Sequence, residues 1–260
     1  MIRYSKKIDE LREVGQHECW CLPGAIGLPA DFRGLAKNLA ASQIGTRSVD
    51  LWRFLEAGSL PINEFGKALN EDAGGEIFRG TGRSLLGYSM GGRLALHSLL
   101  GKNAPWQAAI IVSAHPGLEN EAERVARRTH DSAWATKAFA GDWRQFLEQW
   151  NAQPILAGSS IRDPEASQRL LSHRREIARS FVDWSLGNQM PLWDRLAEIK
   201  IPVLWVVGEN DAKFLRLAER AVDLLPKGIL AIAPSSGHRV PWEAETWFAE
   251  RTAHFLKRAE

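Results

Sequence analysis

One stretch constrains this chain more than any other: Leu85-Leu86-Gly87-Tyr88-Ser89-Met90-Gly91-Gly92-Arg93-Leu94. A short apolar run enters it, and an apolar-periodic run, Leu94, Leu96, Leu99 and Leu100, leaves it. Between them sits G-x-S-x-G with a further glycine attached. The pattern predicts a strand that turns sharply into a helix and presents a serine at the bend. The glycines have a steric reason, because side chains at Gly87 and Gly91 would collide with the neighbouring strand and helix while the serine backbone is strained. The Ser89 hydroxyl is then lifted clear of the sheet, at a helix N-terminus whose N–H groups face a developing oxyanion. Alone, the pattern also fits an ordinary glycine-rich connection; the rest of the chain decides.

Around this turn, strands alternate with helices. Strands are expected at Glu18–Leu22, Arg47–Trp52, Leu85–Tyr88, Ala108–Ser113, Ile201–Val207 and Gly228–Ala233. Ala108–Ser113 is apolar throughout, as in a strand buried on both faces of a parallel sheet. Helices are expected at Ser5–Val14, after Asp31 as N-cap with Phe32, Leu35 and Leu39 on one face, from Pro61 to Asn70, after Ser89, and from Trp242 to Leu256. The rhythm predicts a doubly wound α/β architecture. It breaks between residues 119 and 196, a stretch rich in Arg, Glu, Ala and Trp that is too long for a loop and reads as a helical lid insertion. The expected division is residues 1–118 and 197–260 as core and 119–196 as insertion.

Two further residues turn the bend into chemistry. Asp211 closes the strand ending Gly208-Glu209-Asn210, and His238 closes the loop after the last strand. Serine, then acid, then histidine is the chain order of the α/β-hydrolase fold, with each residue at a strand's C-terminal end. A serine hydroxyl needs an imidazole to take its proton, and the imidazole needs a carboxylate to fix its tautomer. Ser89, Asp211 and His238 are therefore the candidate catalytic triad. The oxyanion hole needs two backbone donors: the Met90 N–H, and the Ala25 N–H in the loop Leu22-Pro23-Gly24-Ala25.

Composition excludes other classes. A formal net charge of +2 argues against nucleic-acid binding. No apolar run reaches transmembrane length and no signal-peptide core follows Met1, so a cytoplasmic location is expected. Cys19 and Cys21 are too few for a zinc site and read as buried thiols in a reducing compartment. No metal site is expected.

Several stretches together resemble the 2-succinyl-6-hydroxy-2,4-cyclohexadiene-1-carboxylate (SHCHC) synthase family of menaquinone biosynthesis. They are Gly87-Tyr88-Ser89-Met90-Gly91-Gly92-Arg93, His115-Pro116-Gly117-Leu118, Glu123-Arg124 through Arg127 to Asp131, and Trp134-Ala135. Trp150, Gln153-Pro154, Arg174-Arg175, Gly208 to Phe214 and Gly237-His238 follow. The resemblance implies a lyase on a hydrolase fold, acting on a small polycarboxylate without metal or organic cofactor. The triad would remove a ring proton, with Ser89 as base, and pyruvate would leave. It further implies substrate contacts from Tyr88, Arg93, Arg127, Trp150 and Arg174. The arginines also make sense by themselves, since a planar guanidinium fork suits carboxylates and Arg93 lies about one helical turn beyond Ser89. Arg124 shares the helix face of Arg127, so either register is open. His97, His115 and His173 read as structural.

The chain departs from that family in three places. Pro23-Gly24 stands where His-Gly is usual, Asp50-Leu51-Trp52-Arg53-Phe54-Leu55 replaces an Asp-Leu-Pro-Gly-His-Gly segment, and few residues precede the first core strand, which predicts a sheet shortened at its N-terminal edge. Two other readings compete: a serine hydrolase of acidic esters or carbon–carbon bonds, and a binding protein whose oxyanion loop is lost at Pro23.

Overall fold

The computed structural model describes residues 17–75, 80, 82–156 and 164–259. The expected helix Ser5–Val14 lies outside them. Six strands form one sheet: β1 (His17–Leu22), β2 (Ile44–Ser48), β3 (Gly82–Tyr88), β4 (Ala108–Val112), β5 (Val203–Gly208) and β6 (Gly228–Ala233). Their order is β2-β1-β3-β4-β5-β6 and every pairing is parallel. All C-terminal ends therefore meet at one edge, which is where a site can be assembled from distant parts of the chain. Among the described residues β2 is one margin of the sheet.

Alternation along the strands sends side chains into two apolar layers. On one face Trp20, Leu22, Leu85, Ile111, Trp205 and Val207 pack with helices α2 (Ile62–Gly74), α3 (Met90–Leu99) and α8 (Ala212–Leu224). On the other, Cys19, Cys21, Leu86, Ile110, Leu204 and Val206 pack with α1 (Arg33–Ala40) and α10 (Glu245–Ala259). Both cysteines are free and fully buried, as expected. Between β4 and β5 lie α4 (Glu121–Ala140), α5 (Trp143–Asn151), α6 (Pro164–Ser172) and α7 (Arg174–Asp183). The antiparallel α4 and α7 enclose an aromatic cluster: Trp134, Phe146, Trp150 and Phe181, with Trp150 5.2 Å from both Trp134 and Phe181 by ring centroid.

Three expectations shift. β2 runs Ile44–Ser48, not Arg47–Trp52, because Asp50 turns the chain: its Oδ1 accepts from Trp52 N at 3.0 Å, and Trp52–Leu55 forms a 3-10 turn. Asp31 does not cap α1. It sits in a 3-10 turn (Pro29–Phe32) and its carboxylate accepts from Leu28 N at 2.9 Å. The closing helix is divided into a short α9 (Val240–Glu243) and α10. Trp52 repays its displacement from the strand, for its buried Nε1 donates to Gly27 O at 2.9 Å and braces the loop that follows β1.

Two histidines stay neutral inside this structure. Burial, together with the charges of Lys213, Arg93 and Arg127, pulls His115 down to about 3, while its Nδ1 accepts from Gly117 N at 2.9 Å. Burial, with Arg93 and Arg195 nearby, pulls His97 down to about 4. The unfolded chain can take up these protons below about pH 6.5 and the folded one cannot. Stability should therefore hold level above that point. It should fall on acidification towards pH 4, by up to about 1.4 kcal/mol per pH unit for each histidine. Urea midpoints from pH 7 to 4.5 test this. His115→Asn, which keeps an acceptor for Gly117, should flatten the slope, and an unchanged slope contradicts the assignment.

Candidate active site

The turn at Ser89 is built as its glycines demand. Ser89 has φ 53° and ψ −111°, between β3 and α3, in a region that side-chain-bearing residues seldom occupy. Its N–H donates to Val112 O at 2.8 Å and its carbonyl accepts from Arg93 N at 3.1 Å, so β4 and α3 hold the strained residue from both sides. A Cβ on Gly87 would stand 2.4 Å from Gly91 O, and one on Gly91 2.2 Å from Leu22 O and 2.4 Å from Pro23 O. The close approach of three backbone segments thus explains both glycines.

Asp211 and His238 arrive from the ends of β5 and β6. Their two loops are joined by Asn210 N donating to Ser236 O at 2.8 Å and by the contact of Gly208 with the 236–237 backbone, where a Cβ would lie 2.1 Å from Gly237 O. His238 Nδ1 lies 2.7 Å from Asp211 Oδ2, and His238 Nε2 lies 3.1 Å from Ser89 Oγ. The other Asp211 oxygen accepts from Phe214 N at 3.4 Å and opens α8. The imidazole stands between two rings, Phe214 at 4.6 Å and Tyr88 at 5.7 Å, and Tyr88 leans in turn on Trp242 at 4.9 Å. Both His238 and Asp211 are buried. The structure thus brings together the three residues that the chain order singled out, in the relay that lets a hydroxyl shed its proton. Tyr88 lies beside the imidazole with its ring tilted at 55° to it.

The loop after β1 lies alongside. A Cβ on Gly24 would sit 3.6 Å from Ser89 Cβ and 2.7 Å from Tyr88 Cε1, so a larger residue there would press on the nucleophile turn. Gly27 N donates to Gly24 O at 3.0 Å, closing a tight turn around Ala25 and Ile26, the latter at φ 56°. Met90 begins α3, so its N–H has no helical partner.

The arginines separate by what holds them. Arg93 is buried, donating through Nη1 to Gln189 Oε1 at 3.0 Å and through Nη2 to Trp184 O at 2.7 Å. No carboxylate lies within ion-pair distance of it among the described residues. Burial draws it down to about 9, the Arg127 charge acts the same way and Asp131 opposes them, so it remains a cation at neutral pH. Arg127 is tied through Nε to both oxygens of buried Asp131, at 2.8 and 2.9 Å, on a part-exposed side chain. Asp131 also accepts from Ser185 Oγ at 2.8 Å. Arg124 is occupied by Glu121, Gly187 O and Met190 Sδ, which favours the Arg127 register. Arg174 is elsewhere: its Nε and Nη2 donate to Ala138 O at 3.0 and 2.8 Å, and Nη2 also to Gly141 O at 2.9 Å, capping the C-terminus of α4. The ten residues of α7, about 15 Å of helix, separate it from the Trp184 end that holds Arg93. Trp150 is half-buried in the aromatic cluster.

Sequence reasoning missed Phe214 as a wall for the imidazole, Gln189 as the buried partner of Arg93, and Arg239. Arg239 follows His238 directly and donates to Asn151 Oδ1 on α5 at 2.8 Å. Among the described residues no group of three or more His, Cys, Asp or Glu side chains could hold a metal ion, and no helix is long and apolar enough to cross a membrane.

A model of the alpha/beta hydrolase family matches residues 16–251. The chain is 34% identical to a 2-succinyl-6-hydroxy-2,4-cyclohexadiene-1-carboxylate synthase of Photorhabdus laumondii subsp. laumondii over 66% of its length and 61% of that relative's. It is likewise 34% identical to the synthase of that name from Serratia proteamaculans, over 66% of this chain and 67% of the other. The matched segment thus spans less than two thirds of the Photorhabdus relative. The solved structure of MenH from S. aureus superposes with a TM-score of 0.85 over 94% of each chain at 24% identity, a likeness of fold. The chain belongs to the alpha/beta hydrolase family and, within it, to the family of 2-succinyl-6-hydroxy-2,4-cyclohexadiene-1-carboxylate synthases.

Proposed function

We propose that the protein is a carbon–oxygen lyase of menaquinone biosynthesis. It eliminates pyruvate from 2-succinyl-5-enolpyruvyl-6-hydroxy-3-cyclohexene-1-carboxylate to give SHCHC. His238, oriented by Asp211, takes the Ser89 proton as Ser89 Oγ removes a ring proton. The released electron pair forms a new ring double bond, the existing ring double bond shifts by one position, its electrons break the ether C–O bond, and the departing enolpyruvate takes the proton held by His238 to become pyruvate. Ser89 keeps the ring proton, His238 gives up the one it took and one C–O bond breaks, so the balance needs neither water nor a further reactant. The N–H groups of Met90 and Ala25 would hold the charge that develops on the activated carbonyl or carboxylate oxygen. Residues 119–196 would serve as the lid that excludes water.

The observation that carries this reading is Arg93, a buried cation one helical turn from the nucleophile that neutral oxygens hold in place. Such a charge costs several kcal/mol to bury, and an anionic substrate is the partner that would offset it. Arg127, fixed by Asp131 and part-exposed, would add a second anchor.

The test is pyruvate release from the enolpyruvyl precursor, followed with lactate dehydrogenase. Wild type should turn over, and Arg93→Gln should raise KM by about tenfold or more, as loss of a charged hydrogen-bonding partner does. No release by wild type, or undiminished release by the variant, sinks the reading. An acyl group trapped on Ser89 during turnover of an acidic ester would point to a serine hydrolase, for which the 3.1 Å Ser89–His238 contact is equally suited.

A further inference from the structure

Several arginines among the described residues sit against carboxylates. Arg53 meets Asp72, Arg124 and Arg128 meet Glu121, Arg195 meets Glu198, and Arg220 meets Glu119. Arg239 does not. Its contact is the amide oxygen of Asn151, 2.8 Å from Nη2, in the same manner as Arg93 on Gln189. An amide oxygen fixes a guanidinium in place without cancelling its charge, whereas a carboxylate would cancel it.

Position gives that charge a purpose. Arg239 is the residue after the base, so its Cα stands about 3.8 Å from that of His238. Its backbone starts α9, as the carbonyl that accepts from Trp242 N and Glu243 N at 3.0 Å each, so the root of the side chain is rigid. From there it reaches across to the C-terminal end of α5, beside Trp150. Helix C-termini carry partial negative charge, which favours a cation there and helps hold it. The side chain is half-buried, so it remains open to a ligand.

We infer that Arg239 binds a carboxylate of the substrate and supplies the third guanidinium anchor, the part that the family resemblance assigned to Arg174. Arg174 is spent on the carbonyls that end α4. This inference rests on the polycarboxylate reading of the site, and it differs from a purely structural tie between the His238 loop and α5 in one measurable respect. A tie gains from a carboxylate at position 151; an anion anchor is silenced by it.

The experiment compares Arg239→Gln, Arg239→Lys, Asn151→Asp and Arg174→Gln, each checked by melting temperature. Two readouts are taken: KM and kcat for pyruvate release, and the Kd of succinate as a bare carboxylate probe, by calorimetry at low salt. Arg239→Gln and Asn151→Asp should both weaken KM and Kd by about tenfold with kcat within a few-fold of wild type. Arg239→Lys should recover part of the loss. Arg174→Gln should lower the melting temperature and leave KM alone. Wild-type binding by Asn151→Asp, or a raised KM in Arg174→Gln with Arg239→Gln silent, overturns the inference. If wild type releases no pyruvate while both charge-cancelling variants lose succinate, the reaction assignment falls and the anion anchor stands.

Discussion

Ser89→Ala is expected to lower pyruvate release about a thousandfold or more with little change in substrate affinity or melting temperature. The methyl group fits the space of the hydroxymethyl group, and the strain at φ 53° is borne by the same bonds to Val112 O and from Arg93 N in both proteins. His238→Ala should cost about as much, since without an imidazole 3.1 Å away the hydroxyl keeps its proton at neutral pH. The double variant should be no worse than either single one, because the two groups act as a unit. Asp211→Asn separates two jobs of one residue. An amide can still accept from Phe214 N at the start of α8, but it cannot stabilise a charged imidazole. That variant should therefore melt near wild type while losing about a hundredfold or more in kcat. Single-turnover rates settle the matter, and a Ser89→Ala protein with a tenth of normal activity would remove the serine from the chemistry.

Gly91→Ala should be strongly damaging for a single methyl group. Its Cβ would stand 2.2 Å from Leu22 O and 2.4 Å from Pro23 O, and both are backbone atoms at the C-terminal end of β1. A side chain could rotate away; a strand end paired on both sides by β2 and β3 cannot without breaking ladder bonds. Overpacking of this kind costs about 1–3 kcal/mol, and at this chain length each kcal/mol lowers the melting temperature by about 2–4 °C. The displaced segment is also the loop that carries Ala25, so activity should fall further than the fraction folded. Gly74→Ala is the control. Nothing lies within 4 Å of the Cβ it would add in α2, so stability should hold or rise by up to about 1 kcal/mol. Equal melting temperatures for Gly91→Ala and wild type would mean that the nucleophile turn does not hold β1 as tightly as drawn.

The candidate triad was legible because each member follows the end of a strand and the three fall in a fixed order, so Ser89, Asp211 and His238 could be named without knowing any contact. The strands were legible where they are apolar throughout, as in Ala108–Val112. β2 was misread towards Trp52, because an apolar stretch holds Val49, Leu51 and Trp52 and the turn made by the Asp50 carboxylate leaves no periodic trace. The arginines were the least legible part. Spacing on a helix tells which face a cation shares, but whether it ends on a carboxylate, a carbonyl or an amide depends on residues far along the chain. Arg93 finds Gln189 across 96 positions, and Arg239 finds Asn151 across 88. Arg174 looked like a ligand by resemblance and is a helix cap by geometry.

The sheet order has a bearing on how the molecule comes to life. Ser89 and His238 hang from β3 and β6, with β4 and β5 between them, so three ladders must zip before the two side chains can meet. Such distant parallel pairings form late, after local helices. During refolding, recovered turnover should therefore lag the return of helical ellipticity, and its time course clocks the docking of the final strand rather than the initial collapse.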